Sequence, residues 1–99
     1  MEFEWDETKR RTNIAKHGFT FEAAREAFAD PYAIFEQEDY VDGEERWSVT
    51  ALIGLLKVVV VIFTYRDPEN GTEIIRIISA RFADPGERRR YDRARLGQD

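Results

Sequence analysis

Residues 73–81 read Glu-Ile-Ile-Arg-Ile-Ile-Ser-Ala-Arg, and the rest of the chain is organised around them. β-Branched residues dominate the stretch, which is typical of a strand. Alternate side chains of a strand point to opposite faces, so Ile75, Ile77 and Arg81 are expected on one face and Arg76 on the other. Both faces are mostly apolar. We therefore predict a central strand whose two arginines need an anionic partner.

Two helices are predicted upstream of this strand. Asp6 is a suitable N-cap and Gly18 a suitable C-terminal stop for a helix over residues 7–17. Thr20 can cap a second helix over residues 21–29, whose apolar side chains recur at helical spacing.

Short strands fill the remainder of the chain, with predicted bounds of 2–5, 32–35, 45–53 and 57–65. The turn residues at 67–71 predict a hairpin that pairs the last of these antiparallel with residues 73–81. A capping box at residues 84–87 then opens a short basic helix that runs to residue 95. We expect one α+β domain over residues 1–99, with an antiparallel sheet of about four strands and helices on one of its faces.

Composition excludes several classes of function. The chain has no cysteine and a single histidine, so no familiar zinc spacing is present. The longest apolar run, residues 58–63, is too short to cross a bilayer, and the acidic start lacks the positive region of a signal peptide. The net charge of −5 argues against indiscriminate nucleic-acid binding, although residues 36–45 are acidic and residues 88–95 basic. We expect a cytoplasmic protein without metal, cofactor or membrane contact.

The remaining chemistry can cleave RNA without a metal. A general base deprotonates the 2′-hydroxyl, arginines stabilise the charge that builds on the phosphoryl oxygens, and an acid protonates the leaving 5′-oxygen. Candidate residues for these steps are Arg81, Arg76, His17, Glu45 and Tyr91. Candidate RNA-binding cations are Lys9, Lys16, Arg46, Arg88 and Arg89.

Each candidate also has a structural interpretation. Arg76 and Arg81 could form ion pairs with Glu45 or with the acidic residues 36–44. His17 could simply end its helix, where the helix dipole favours a cation. Tyr91 could fill the edge of the core instead of stacking on a base. The arginines of the last helix could be a solvated face or contact a partner's acidic groups.

Motifs along nearly the whole chain resemble the BrnT family. They are Phe3-Glu4-Trp5-Asp6, Lys9, Asn13, Lys16-His17-Gly18, Phe21-Glu22-Ala23-Ala24, Phe28, Asp30-Pro31, Gly43-Glu44-Glu45-Arg46-Trp47, residues 59–64, Arg76-Ile77-Ile78-Ser79-Ala80-Arg81 and Glu87-Arg88-Arg89-Arg90-Tyr91. Phe82 departs from the pattern, in which a lysine commonly follows Ser-Ala-Arg.

The resemblance implies a RelE/ParE-like fold and a toxin of a type II toxin–antitoxin pair that cleaves RNA and arrests translation. It also implies a small ribbon-helix-helix antitoxin as partner, with operator DNA contacted only through that antitoxin. Two alternatives stay open at this point. One is a catalytically inactive module that binds the antitoxin and acts as co-repressor; the other is a gyrase-directed poison on the same fold.

Overall fold

The computed structural model of the chain describes residues 1–55, 57–66, 71 and 73–97. The elements in chain order are β1 (Glu2–Trp5), α1 (Glu7–His17), α2 (Phe21–Ala24) with a 3₁₀ helix (Arg25–Ala29), β2 (Ile34–Gln37), β3 (Trp47–Ile53), β4 (Lys57–Arg66), β5 (Ile74–Phe82) and α3 (Pro85–Leu96). Residues 67–70 of the predicted hairpin connection lie outside the described residues. Nothing in the described helices is both long and apolar enough to span a bilayer.

The predicted caps form. Asp6 accepts a hydrogen bond from the Lys9 amide at 2.9 Å, and Gly18 closes α1 with a φ of +80°. The single helix expected over residues 21–29 is instead one α-helical turn followed by a 3₁₀ helix.

The sheet has five strands in the order β1-β5-β4-β3-β2. β4 is antiparallel to both β3 and β5, as predicted, but β1 runs parallel to β5. The prediction of an antiparallel sheet of about four strands is therefore wrong in strand number and in the direction of one pair. β1 and β5 are about 70 residues apart in the sequence. No local turn signal could therefore have predicted that they pair.

One face of the sheet, called the first face, carries the main core. Its buried members are Phe21, Ala24, Ala27, Val49, Ala51, Ile53, Val59, Val61, Phe63, Ile75, Ile77 and Ala80. Phe28, from the 3₁₀ helix, packs its ring 4.9 Å from that of Phe63 and 5.2 Å from that of Phe3. The helices before β2 thus cover the first face.

A β-bulge in β5 changes which side chains share a face. Phe63 pairs with Ile77 and Ile62 with Ser79, so Ile78 is an extra residue. Beyond the bulge Ala80 is buried in the first-face core, and Arg81 points the other way. The expectation that Arg81 shares a face with Ile77 is wrong: it shares the second face with Arg76.

Helix α3 lies over the second face, so the prediction that the helices pack on one face is also wrong. Glu87 and Arg90 of α3 form ion pairs with Arg81 and Glu36, both of which belong to the second face by their strand pairing. Tyr91 is 1% exposed, and its hydroxyl donates a hydrogen bond to Asp30.

Candidate functional site

The second face carries a set of arginines that are each paired with a carboxylate. We call it the arginine face, and its members are Arg46, Arg66, Arg76, Arg81 and Arg90. Strand alternation explains the gathering: Arg66, Arg76 and Arg81 take up second-face positions on the adjacent strands β4 and β5.

Glu4 of β1 holds two of these arginines. Its carboxylate lies 2.6 Å from a guanidinium nitrogen of Arg76 and 2.9 Å from one of Arg66. The parallel pairing places Glu4 directly opposite Arg76. The sequence alone did not mark Glu4 as a site residue, although its alternation with Phe3 and Trp5 puts it on the face opposite these aromatic residues.

Arg81 is held by Glu87 through two parallel hydrogen bonds of 2.7 and 2.9 Å. This fork geometry is the one that a guanidinium also uses to bind a phosphate. The hydrogen bonds from Arg81 lower the pKa of Glu87 to about 2. The same contact raises the pKa of Arg81, so the pair is fully ionised at neutral pH.

Arg76 and Arg81 do not converge on one point. They are five positions apart along the bulged strand β5, which corresponds to about 15 Å at the usual strand rise. They also contact different carboxylates, Glu4 and Glu87. Arg46, just before β3, has a guanidinium nitrogen 3.7 Å from a carboxylate oxygen of Glu44 and lines a small cleft with Ile62. The arginine face is therefore an extended cationic row and not a single anion pocket.

Glu45 lies at the end of the sheet nearest Arg76. Its carboxylate accepts hydrogen bonds from the Tyr40 hydroxyl and the Trp47 indole, both at 2.9 Å. Thr64, which pairs with Arg76 across β4 and β5, donates to the Glu45 carbonyl at 2.8 Å. The hydrogen bond to Glu45 raises the pKa of Tyr40. Trp47 packs against the first-face core, so the Glu45 carboxylate and the exposed Tyr40, which the sequence alone did not single out, lie on the first-face side of this end of the sheet. Only the Glu45 backbone carbonyl reaches Thr64 on the second face.

A second cationic region lies between α1 and β5, and we call it the α1 cleft. It has a volume of about 390 Å³ and is lined by Lys9, Thr12, Asn13, Lys16, His17, Ile78 and Ser79. Asn13 is buried at its centre. The Asn13 side chain accepts the Ala80 amide at 2.9 Å and donates to the Phe19 carbonyl at 3.5 Å. Asn13 therefore anchors α1 to β5.

The candidates on α3 divide into exposed and buried residues. Arg88 and Arg89 are exposed. Tyr91 is enclosed, and burial together with the hydrogen bond to Asp30 raises its pKa to about 12. Asp30 also accepts the Leu52 amide at 2.8 Å, so Tyr91 joins α3 to β3 through one carboxylate. This position matches the structural interpretation of Tyr91, as a filler of the core edge.

The predicted site residues thus occupy three places: the arginine face with its α3 neighbours, the Glu45 end of the sheet, and the α1 cleft. Within the described ranges, no group of three or more His, Cys, Asp or Glu side chains comes together as metal ligands would.

Comparison with known proteins decides the family. A family model described as "Ribonuclease toxin, BrnT, of type II toxin-antitoxin system" matches residues 5–87. The chain belongs to this family. The resemblance drawn from the motifs is confirmed, and BrnT toxins are ribonuclease toxins of type II toxin–antitoxin systems.

A solved BrnT structure supports the assignment. The crystal structure of the Brucella abortus ribonuclease toxin BrnT is 30% identical in sequence, with a TM-score of 0.60. The match covers 85% of this chain and 97% of the Brucella chain. No curated protein matches this chain. The BrnT assignment thus agrees at the level of sequence family and of fold.

Proposed function

We propose that this BrnT-family chain is a metal-independent endoribonuclease that cleaves RNA in the cytoplasm and arrests translation. The observation that carries the proposal is the placement of Arg76 and Arg81 on one face of β5. Their ion-pair partners are carboxylates that a phosphate can replace with the same hydrogen-bond geometry. The proposal also includes a RelE-like classification of the fold.

The arginine face supplies the phosphate contacts in this proposal. Arg81 binds and stabilises a phosphoryl group with its fork of donors, and Arg76 does the same further along the strand. Because about 15 Å separates them along β5, they contact different phosphates of one RNA strand. Arg46, Arg88 and Arg89 extend the cationic surface at its margins.

Glu45 is the general base in this proposal. Two donors hold its carboxylate in a fixed orientation, and Thr64 ties its backbone to the position opposite Arg76. Tyr40 donates to the same carboxylate, so it can pass a proton between Glu45 and the leaving 5′-oxygen. His17 lies in the α1 cleft, and the Tyr91 hydroxyl donates its hydrogen bond to Asp30. Neither residue acts as the general base in this proposal.

The partner that we propose is a small ribbon-helix-helix antitoxin that covers the Arg81 region and alone contacts operator DNA. The support is electrostatic. Residues 36–45 are acidic and α3 is basic, so a partner with complementary charges can bind both. A purified complex that leaves Arg81 open and RNA cleavage intact would contradict this part of the proposal.

The test is cleavage of a defined single-stranded RNA in EDTA, together with growth after induction of the toxin alone. We expect growth arrest and cleavage at internal positions. An Arg76→Ala/Arg81→Ala double variant should lose about 10²-fold or more in cleavage rate. Arg10→Ala is the matched control, because Arg10 forms an equivalent two-bond pair with Glu22 away from the arginine face.

Three outcomes separate the alternatives. Cleavage that disappears in EDTA and returns with a divalent cation contradicts metal independence. Full cleavage by the double variant removes the arginine face as the active site. Normal growth and intact RNA, with the antitoxin still bound, favour the inactive co-repressor module. One observation supports that alternative: all five arginines of the arginine face are ion-paired with carboxylates.

A further inference from the structure

The α1 cleft gathers two lysines and a histidine that have no side-chain partner in the part of the chain that the structure describes. Lys9 and Lys16 are two of the three lysines of the chain, and His17 is its single histidine. Across the described residues, none of these three side chains makes an ion pair or a hydrogen bond. Every member of the arginine face, by contrast, forms an ion pair with a carboxylate, although Arg66 and Arg76 share Glu4. In a protein of net charge −5, this local excess of positive charge indicates an anion site.

The spacing of the two lysines indicates what kind of anion fits. Lys9 and Lys16 are seven residues apart on α1, so they lie about two turns, or ~10.5 Å, apart along the helix axis. The two amines can meet at one small anion only if both flexible stems bend towards each other, which brings two positive charges together. A strand with phosphates at successive positions can satisfy both lysines, and it can pass over the buried Asn13 between them.

The C-terminal end of α1 limits the direction from which an RNA strand can contact the cleft. Lys16 and His17 are in the last turn of α1, where the helix dipole favours positive side chains. The dipole is unfavourable to an anion on the helix axis. A phosphate therefore contacts these side chains from beside the helix, which is the side where the cleft opens against Ile78 and Ser79.

The other wall of the cleft connects it to the arginine face. β1 stops pairing with β5 at Ile77, so the edge of β5 is free of a strand neighbour from Ile78 onward. Arg81 lies three residues further along β5, on the second face. The α1 cleft and Arg81 are thus on two sides of the same bulged segment.

We infer that the α1 cleft is a second backbone-binding site for the RNA substrate, which contacts phosphates next to those held by the arginine face. The substrate class is a flexible single strand that passes round the bulged segment of β5. This inference rests on the proposed ribonuclease function and extends it. Lys9 and Lys16 are binding residues, and His17 contacts the strand beside Lys16.

The test measures binding without cleavage. A fluorescent 12-nucleotide 2′-O-methyl RNA lacks the attacking hydroxyl and reports affinity by anisotropy over a series of salt concentrations. Lys9→Gln/Lys16→Gln should weaken binding roughly 10-fold or more at moderate salt and reduce the salt slope by about 1.4, since each single-strand phosphate contact contributes about 0.7. Lys57→Gln is the matched control: it removes the third lysine, whose amine lies over the Phe82 ring.

The outcomes are distinguishable. Unchanged affinity and salt slope in the double lysine variant, with weakened binding in Arg76→Ala/Arg81→Ala, overturn the inference and leave the ribonuclease proposal intact. Wild-type protein that does not bind the RNA at all overturns both. Unchanged RNA binding with a weakened antitoxin complex reassigns the cleft to the antitoxin and overturns the inference.

A second readout separates a strand from a free ion. The NMR resonances of the His17 ring should shift on addition of the RNA. Inorganic phosphate at the same phosphate concentration should leave them nearly unchanged. Equal shifts with inorganic phosphate overturn the inference in favour of a small-anion site.

Discussion

Arg81 and Glu87 form a two-bond ion pair, with 2.7 and 2.9 Å between the guanidinium nitrogens and the carboxylate oxygens. Glu87 also accepts the Asp84 amide at 2.9 Å and so closes the capping box of α3. One carboxylate therefore fixes both the candidate phosphate-binding arginine and the start of the last helix. A phosphate that takes Arg81 must compete with Glu87.

Arg81→Lys tests whether the fork of donors matters as well as the charge. A lysine keeps the positive charge but cannot bind a phosphate with two parallel hydrogen bonds. We expect cleavage to fall nearly as far as in Arg81→Ala, about 10²-fold. The melting temperature should change little, because a partly exposed ion pair contributes at most ~1 kcal/mol. A lysine variant that cleaves at the wild-type rate would show that charge alone suffices.

Glu87→Gln should alter the acid sensitivity of the fold. The pKa of Glu87 falls from 4.5 to about 2 on folding, so its ionised form stabilises the protein above pH 4.5, and that contribution is lost as pH drops towards 2. Melting temperature measured from pH 5 to pH 2 should therefore decline less steeply in the variant. Glu26→Gln, at an exposed site without an ion pair among the described residues, is the control and should decline like wild type.

Asn13→Ala should destabilise the fold. The Asn13 side chain satisfies the Ala80 amide, which is buried between α1 and β5. Without it, that amide loses its partner, which costs roughly 1–3 kcal/mol. Chemical denaturation measures the loss. Thr8→Ala, on the exposed part of the same helix, should change stability by less than about 0.5 kcal/mol. Equal stability of the two variants would contradict the anchoring role.

Ile77→Ala separates the core from the site. Ile77 is 1% exposed and packs in the first-face core, so its truncation should remove roughly 2–5 kcal/mol of unfolding free energy. Cleavage per folded molecule should survive, because Arg76 and Arg81 point to the other face. The half-buried Ile74 is the control, and its alanine variant should lose less stability. A loss of cleavage without a loss of stability in Ile77→Ala would contradict this division.

Tyr91→Phe distinguishes a structural hydroxyl from a catalytic one. The variant removes one donor from Asp30, which keeps the Leu52 and Tyr32 amides. We expect about 1.5–3 kcal/mol of lost stability, the usual contribution of a hydrogen bond to a charged group. RNA cleavage at a temperature where the variant is folded should equal that of wild type. A large loss of cleavage there would return Tyr91 to the catalytic set.

Local chemistry in the sequence determined much of this protein. Asp6, Gly18 and the capping box at Asp84 set the ends of α1 and the start of α3, because caps act through hydrogen bonds to residues within one helical turn. The β-branched run correctly predicts β5 as an interior strand. The BrnT motifs by themselves indicate the family to which the chain belongs.

Only the tertiary structure decided the composition of the site. The bulge at Ile78 reversed the alternation of β5 and moved Arg81 to the face of Arg76; such an extra residue is visible only against the partner strand. The parallel pairing of β1 brought Glu4 to Arg76 from the opposite end of the chain. Neither relationship is local, so no periodicity or turn signal could encode it. The sequence was sufficient to predict Arg76 and Arg81 as candidate site residues. The packing of distant strands determines which carboxylates pair with them and which face they share.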